Sequence, residues 1–147
     1  MSPRFASSLK ADDIIVAGHN FGINSSREQA VHVIRMMGVA AVAARSFGRQ
    51  FYRNAINNGL PLVECDVGGI TEGDEITVDL AAGRVTLARG VVRNVKPLPR
   101  EILAMLSAGG LIPFLQQHPN WKQAWSPLKR LRRNRLQSLA IRRVYVP

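Results

Sequence analysis

Between Asn20 and Gly38 the sequence reads NFGINSSREQAVHVIRMMG, a polar turn with two serines and an arginine that leads into a largely apolar run. Two hydroxyls (Ser25 and Ser26) and the guanidinium of Arg27, set where a helix begins and its N–H groups are unpaired, suit a carboxylate or a phosphate. Spacing does not separate these two anions, because no glycine-rich phosphate loop with its lysine is present. Ser25-Ser26-Arg27-Glu28 also fits a capping box, with serine at the N-cap and glutamate three residues on, worth about 1 kcal/mol to a helix. His19, beside the turn, reads as a loop residue rather than an acid or a ligand. His32 and His118 stand at no metal-binding spacing.

The flanking elements must position that turn. DDIIVAG (Asp12–Gly18) is a short apolar run closed by glycine and reads as a buried strand. A helix is expected from about Ser26 to Met37, with Ala30, Val31, Ile34 and Met37 on its apolar face and Gly38 as its stop. VAAVAA (Val39–Ala44) reads as a second strand, Phe47 to Asn58 as a second helix, and LPLVEC (Leu60–Cys65) as a third strand. Buried strands alternating with helices imply right-handed crossovers and a parallel sheet. The serine–arginine turn then falls at the carboxyl end of a strand, where open α/β folds bind ligands. Further on, DEITVDLAAGRVTLA alternates apolar and polar residues on both sides of Ala82-Gly83, the pattern of an antiparallel hairpin. VRNVKPLP continues extended, Pro99 opens a helix, and LIPFLQQH adds a turn or two. Arg45, Arg49 and Arg53 fall at i, i+4 and i+8, which predicts one solvated helical face or, more sharply, a partner contact.

Composition sets outer bounds. The 147 residues suffice for one domain with a sizeable core, and 46% are apolar. No apolar run reaches the roughly 18 residues of a membrane helix, and the first residues lack a secretory h-region, so a cytoplasmic protein is expected. Cys65 is the single cysteine, which excludes an internal disulfide and a multi-cysteine metal or cluster site within this chain. The net charge of +10 is unevenly spread: residues 127–147 hold seven basic and no acidic side chains, leaving thirteen basic against ten acidic elsewhere. The charge thus describes an appendage, and the expected division is a domain over 1–120 and a basic extension over 121–147. Trp121 and Trp125, at i and i+4, are candidates to pack that extension onto the domain.

Three stretches together carry a family resemblance. IIVAGHNFGINSSREQAV resembles the swivelling domain of the aconitase superfamily, in which a G-x-G-S-S-R-E turn follows a strand. VAAVAARSFGRQFYRNAINNGLPLVE resembles that family's SFARIFYRNAINNGL-type stretch, and REILAMLSAGGLIPFL its C-terminal helix ending in AGGL. Order and spacing agree from about Asp12 to Leu115. Within the superfamily, the FYRNAINNGL wording is most similar to the small subunits of 3-isopropylmalate dehydratase.

The resemblance implies an α/β fold: an aconitase-like swivelling domain of mostly parallel sheet with flanking helices and a β-hairpin (layered β/β/α), here shortened at its N-terminal end. It implies a hydro-lyase that isomerises 2-isopropylmalate and 3-isopropylmalate by dehydration and rehydration in leucine biosynthesis, with a small hydroxy-dicarboxylic acid as substrate. No cofactor is implied in this chain; a 4Fe–4S cluster is implied in a partner large subunit. Residue by residue, Ser25 takes the place of the catalytic base, and Ser26 and Arg27 take the places that bind the substrate carboxylate. Ile23 and Asn24 stand where the family has a small residue or cysteine and then glycine; if position 24 needs a positive φ, asparagine is the least costly substitute. Gly48 replaces the usual alanine, which weakens the helix start. About eleven residues precede the first strand where the family has some tens, including the loop that selects the substrate side chain. Two other readings stay open: the small subunit of homoaconitase or dimethylmalate dehydratase, or a non-catalytic partner whose basic tail binds nucleic acid. That tail shows no groove-reading motif, so neither nucleic acid nor membrane is the expected partner.

Overall fold

A computed structural model of the chain describes residues 9–24, 27–120 and 138–146. Strands β1 (Ile14–Ala17), β2 (Ala41–Ala44) and β3 (Leu62–Glu64) run parallel, with Ile14 opposite Ala41 and Val42 opposite Leu62. Their apolar runs are continuous because both faces are covered. Ile14, Val16, Ala41 and Ala43 join one core cluster, whereas the intervening Ile15 and Val42 join another. Helices α1 (Gln29–Met36) and α2 (Arg49–Asn57) connect these strands, and their buried Val31, Ile34, Phe51 and Ala55 build the second cluster.

The other half of the sheet is antiparallel: β4 (Glu75–Asp79), β5 (Arg84–Leu87) and β6 (Val92–Asn94). Ile76, Val78 and Val85 face the first cluster, where Leu103 and Leu106 of α3 (Arg100–Ala108) meet them. A short α4 (Leu111–Gln117) follows and buries Phe114. Both the parallel half and the hairpin thus stand where the alternation of residue types puts them.

The link between the halves departs from expectation. A C-terminal strand β7 (Ser138–Tyr145) lies in the middle of the seven-stranded sheet, whose order is β3-β2-β1-β7-β4-β5-β6. It is parallel to β1, with Ile14 opposite Val144, and antiparallel to β4, with Glu75 opposite Arg143. The reading of everything after Trp121 as a separate extension is therefore corrected over Ser138–Tyr145; residues 121–137, with Trp121 and Trp125, lie outside the described residues. The physical reason is a paired charge. Arg143 donates to buried Asp13 through Nε (3.1 Å) and Nη2 (2.6 Å), while the Lys10 N–H donates to the same carboxylate at 2.8 Å. Burial alone would push the Asp13 carboxyl up, but the bonds from Arg143 and Lys10 and their positive charge hold it below the ordinary carboxylate value. With its charge met, the Arg-containing strand seats Val144 and Tyr145 in the core.

The sheet also curls. β3 and β6 are its outermost strands, yet Arg93 on β6 donates to the carbonyls of Asp66 and Gly68, just beyond β3. Along this seam lies an apolar groove of about 630 Å³, lined among others by Tyr52, Ile56, Leu62, Val95, Leu98 and Met105.

Candidate functional site

Beyond Ala17 the chain crosses the carboxyl edge of the parallel strands as the loop 18–24, and this loop is laced to the segment that follows β2. The Arg45 N–H donates to Gly18 O (3.2 Å), the Phe21 N–H to Ser46 O (3.0 Å) and the Gly48 N–H to Phe21 O (2.9 Å). Ser46 Oγ accepts the Asn20 N–H at 2.8 Å and meets Asn20 Oδ1 at 3.4 Å. The left-handed backbone in this loop falls at Asn20 (φ 57°) and Gly22 (φ 75°).

Two glycines let the loop lie down on α2. A Cβ on Gly22 would come within 2.4 Å of Phe51 Cγ, and one on Gly48 within 2.7 Å of Ile23 Cα. Gly48 is thus a contact residue and not merely a weak helix start: a methyl group there would drive the loop off its seat. Beneath the loop, Phe21 packs edge-on against Phe51 with centroids 5.3 Å apart, and Phe47 stacks on Phe51 at 6.5 Å.

Of the residues singled out from sequence, Ser25 and Ser26 lie outside the described residues. Arg27 is exposed immediately before α1, and its carbonyl accepts the Ala30 N–H at 3.3 Å. The helix begins at Gln29 rather than Ser26, with Glu28 at the N-cap in helical conformation (φ −60°, ψ −28°) and making no side-chain cap. The capping-box expectation pairs Glu28 with Ser25, which lies outside the described residues. The Glu28 carboxylate accepts a 2.6 Å hydrogen bond from Asn58 Nδ2 at the far end of α2.

His19 joins Arg45, Glu64, Cys65 and Asp66 in lining an open depression of about 440 Å³ at the carboxyl ends of β1, β2 and β3. Arg45 does not share a helical face with Arg49 and Arg53: it precedes α2 and pairs with Asp66 at 3.2 Å. The Gly68 N–H bond, aided by Arg93 and Arg45 against slight desolvation, holds Asp66 below its ordinary value. Burial pushes the Cys65 thiol up, with Arg93 opposing and Asp66 adding to the rise, so it stays protonated and is a poor metal ligand. Among the described residues no group of three or more His, Cys, Asp or Glu side chains is placed to hold a metal ion, and no helix is long and apolar enough to cross a membrane.

Sequence reasoning missed Ser46, Asn58 and Asp66. The first two stand at the two ends of the helix that underlies the loop, where small polar residues flank an amphipathic run, and that placement is the one signal they offered.

Residues 5–66, which take in both the turn and the start of α2, match the Aconitase C-terminal domain. The chain is similar to 3-isopropylmalate dehydratase small subunit 2 of Archaeoglobus fulgidus, at 46% identity over 121 residues covering 82% of this chain and 73% of that protein. It is similar to the isopropylmalate/citramalate isomerase small subunit of Methanocaldococcus jannaschii, at 46% over 118 residues covering 78% of this chain and 70% of that one. A crystal structure of 3-isopropylmalate dehydratase from M. jannaschii superposes with a TM-score of 0.75 at 36% identity, over 85% of this chain and 75% of that chain.

Proposed function

This chain belongs to the family of 3-isopropylmalate dehydratase small subunits, and from that premise we propose that it is the small subunit of a two-subunit, cytoplasmic hydro-lyase of leucine biosynthesis. The enzyme interconverts 2-isopropylmalate and 3-isopropylmalate by removing water and adding it back at the adjacent carbon. The observation that carries this reading is the 46% identity over 82% of the chain to a protein of that name. Its support from geometry is the loop at the carboxyl edge of the parallel strands, tied down from two sides and leaving Arg27 exposed.

In the proposed mechanism Ser26 and Arg27 hold one carboxylate of the substrate, and Ser25 removes the proton from the carbon beside it. The C–H electron pair becomes the new C=C bond as the C–O bond on the neighbouring carbon breaks; the abstracted proton stays on the Ser25 oxygen, and the departing hydroxide takes a proton from solvent to leave as water. Rehydration runs the same steps in reverse with the positions exchanged. A serine hydroxyl is a poor base in water. The positive end of the α1 dipole and the guanidinium of Arg27 both favour the alkoxide, and docking of the partner strengthens them by excluding water. The departing hydroxyl needs a Lewis acid. Fe–S clusters are held by several thiolates, and this chain offers one cysteine, buried and protonated. Its residues do not fit a cluster, so the reading assigns a 4Fe–4S cluster to the large subunit and derives no step of this chain through it.

One observation favours a wider substrate range. The M. jannaschii relative is named for citramalate as well as isopropylmalate, so a methyl side chain is a second candidate beside the isopropyl group. The test is reconstitution: the purified chain is mixed with a cluster-bearing 3-isopropylmalate dehydratase large subunit and supplied with 2-isopropylmalate or citramalate. Isomerisation that requires both subunits is expected. A stable complex that turns over neither acid would mean a non-catalytic partner and overturn the reading.

A further inference from the structure

The stretch from Ser46 to Asn58 grips the serine–arginine turn at both of its ends. Upstream, Ser46 bonds Asn20 twice: its Oγ accepts the Asn20 N–H at 2.8 Å and lies 3.4 Å from Asn20 Oδ1, and its carbonyl accepts the next N–H, that of Phe21, at 3.0 Å. Those bonds meet Asn20 at φ 57°, a left-handed conformation that asparagine adopts at less cost than other non-glycine residues. Downstream, the Asn58 carboxamide donates to its own helix at Asn54 O (2.9 Å) and to Glu28 Oε1 (2.6 Å), at the N-cap of α1. Both anchors belong to one rigid body, because α2 is seated by buried Phe51, Ala55 and Ile56.

We propose that Ser46 and Asn58 are positioning residues that clamp the turn from its two ends and so set Ser25, Ser26 and Arg27 on the substrate carboxylate. This rests on the hydro-lyase reading for its catalytic consequence, but the clamp itself is a property of the isolated chain. Both bonds to the turn are exposed, so their loss affects the fold little. Their value is geometric, since a displacement of about 1 Å in a catalytic group costs up to about 100-fold in rate.

The test uses the full chain with Ser46→Ala, Asn58→Ala, the double variant, Ser46→Thr, and Asn58→Asp, which keeps the side-chain size but sets a carboxylate against Glu28. Hydrogen exchange across residues 19–30 is read on the chain alone, and kcat and KM in the reconstituted complex. Faster exchange confined to that segment is expected, with an unchanged melting temperature, kcat lower by about tenfold for each single variant and up to about 100-fold for the double variant, and KM little altered. Ser46→Thr should restore both exchange and kcat. Unchanged exchange in the double variant and in Asn58→Asp would overturn the clamp whether or not the complex turns over. Faster exchange with wild-type kcat would overturn the positioning role. An inactive wild-type complex would count against the hydro-lyase reading alone, leaving exchange to decide the clamp.

Discussion

The two halves of the sheet use equally short strands to opposite ends. In β1, β2 and β3 both faces are covered: Ile14, Val42 and Ala43 have no exposed surface. Apart from Glu64, exposed at the carboxyl end of β3, the strand side chains there are covered, so chemistry moves to the carboxyl edge and its loops. In β4 the buried Ile76 and Val78 alternate with the more exposed Glu75, Thr77 and Asp79, and the turn between β5 and β6 passes through Gly90 with open space around it. That β5–β6 turn is not pressed onto a neighbour as the loop 18–24 is. What this half contributes is grip: Arg93 from β6 holds the chain after β3, and β7, shared between the halves, brings Arg143 to Asp13 just ahead of β1. A loop that must hold a set of side chains in register is supported from beneath and from both ends, whereas a loop that merely reverses the chain needs only a permissive residue.

Removing the shared element should break this comparison most severely. Deleting residues 138–147 uncovers the facing edges of β1 and β4, empties the sites of Val144 and Tyr145, and leaves Asp13 buried without Arg143. Loss of a cooperative thermal transition by circular dichroism is expected; a sharp transition near the wild-type temperature would show that the halves associate without β7.

Two glycines with nearly the same backbone sharpen the comparison. Gly22 (φ 75°) and Gly90 (φ 76°) differ in what an added methyl group meets, Phe51 at 2.4 Å in the first case and nothing within 4 Å in the second. Gly90→Ala should cost about 1 kcal/mol from its backbone alone, and Gly22→Ala about 3 kcal/mol once overpacking is added, both read from urea unfolding. Equal costs would contradict a site loop pressed against α2.

Smaller, and dependent on pH, is the effect at the Asp13–Arg143 pair. Asp13→Asn should cost about 2 kcal/mol at neutral pH, the range for a hydrogen bond to a charged group. Because the folded Asp13 carboxyl is held below its unfolded value, its contribution is fully present above the ordinary carboxylate pKa of about 3.9 and is lost as the pH falls through the lowered folded value. Wild-type stability should therefore fall more steeply through that acid window than that of Asp13→Asn. Parallel curves would remove Asp13 from the account of how the halves are joined.

What was legible in the sequence follows the same physical division. β1 and β2 announced themselves as unbroken apolar runs because both faces are buried, and β4 and β5 by alternation around Ala82-Gly83. β7 did not, since a pair of arginines reads as solvated charge until Asp13, 130 residues away, supplies a partner for Arg143. The location of the turn at a strand's carboxyl edge was legible from the order of elements. The bonds that hold it were not: Ser46 reaches Asn20 across 26 residues and Asn58 reaches Glu28 across 30, and contacts of that range leave no local period. Gly48 shows the limit of propensity, for the residue that weakens a helix on paper is the one that admits Ile23.

Proton exchange at the substrate carbon tests Ser25 most directly. In D2O the complex of this chain with a cluster-bearing large subunit should place deuterium on the carbon beside the carboxylate of recovered alkylmalate. With Ser25→Ala, exchange should fall by about 10³-fold, the scale set by loss of a general base, while the fold and the association of the subunits persist. Deuterium incorporation by Ser25→Ala at the wild-type rate would contradict the assignment of Ser25 as the base.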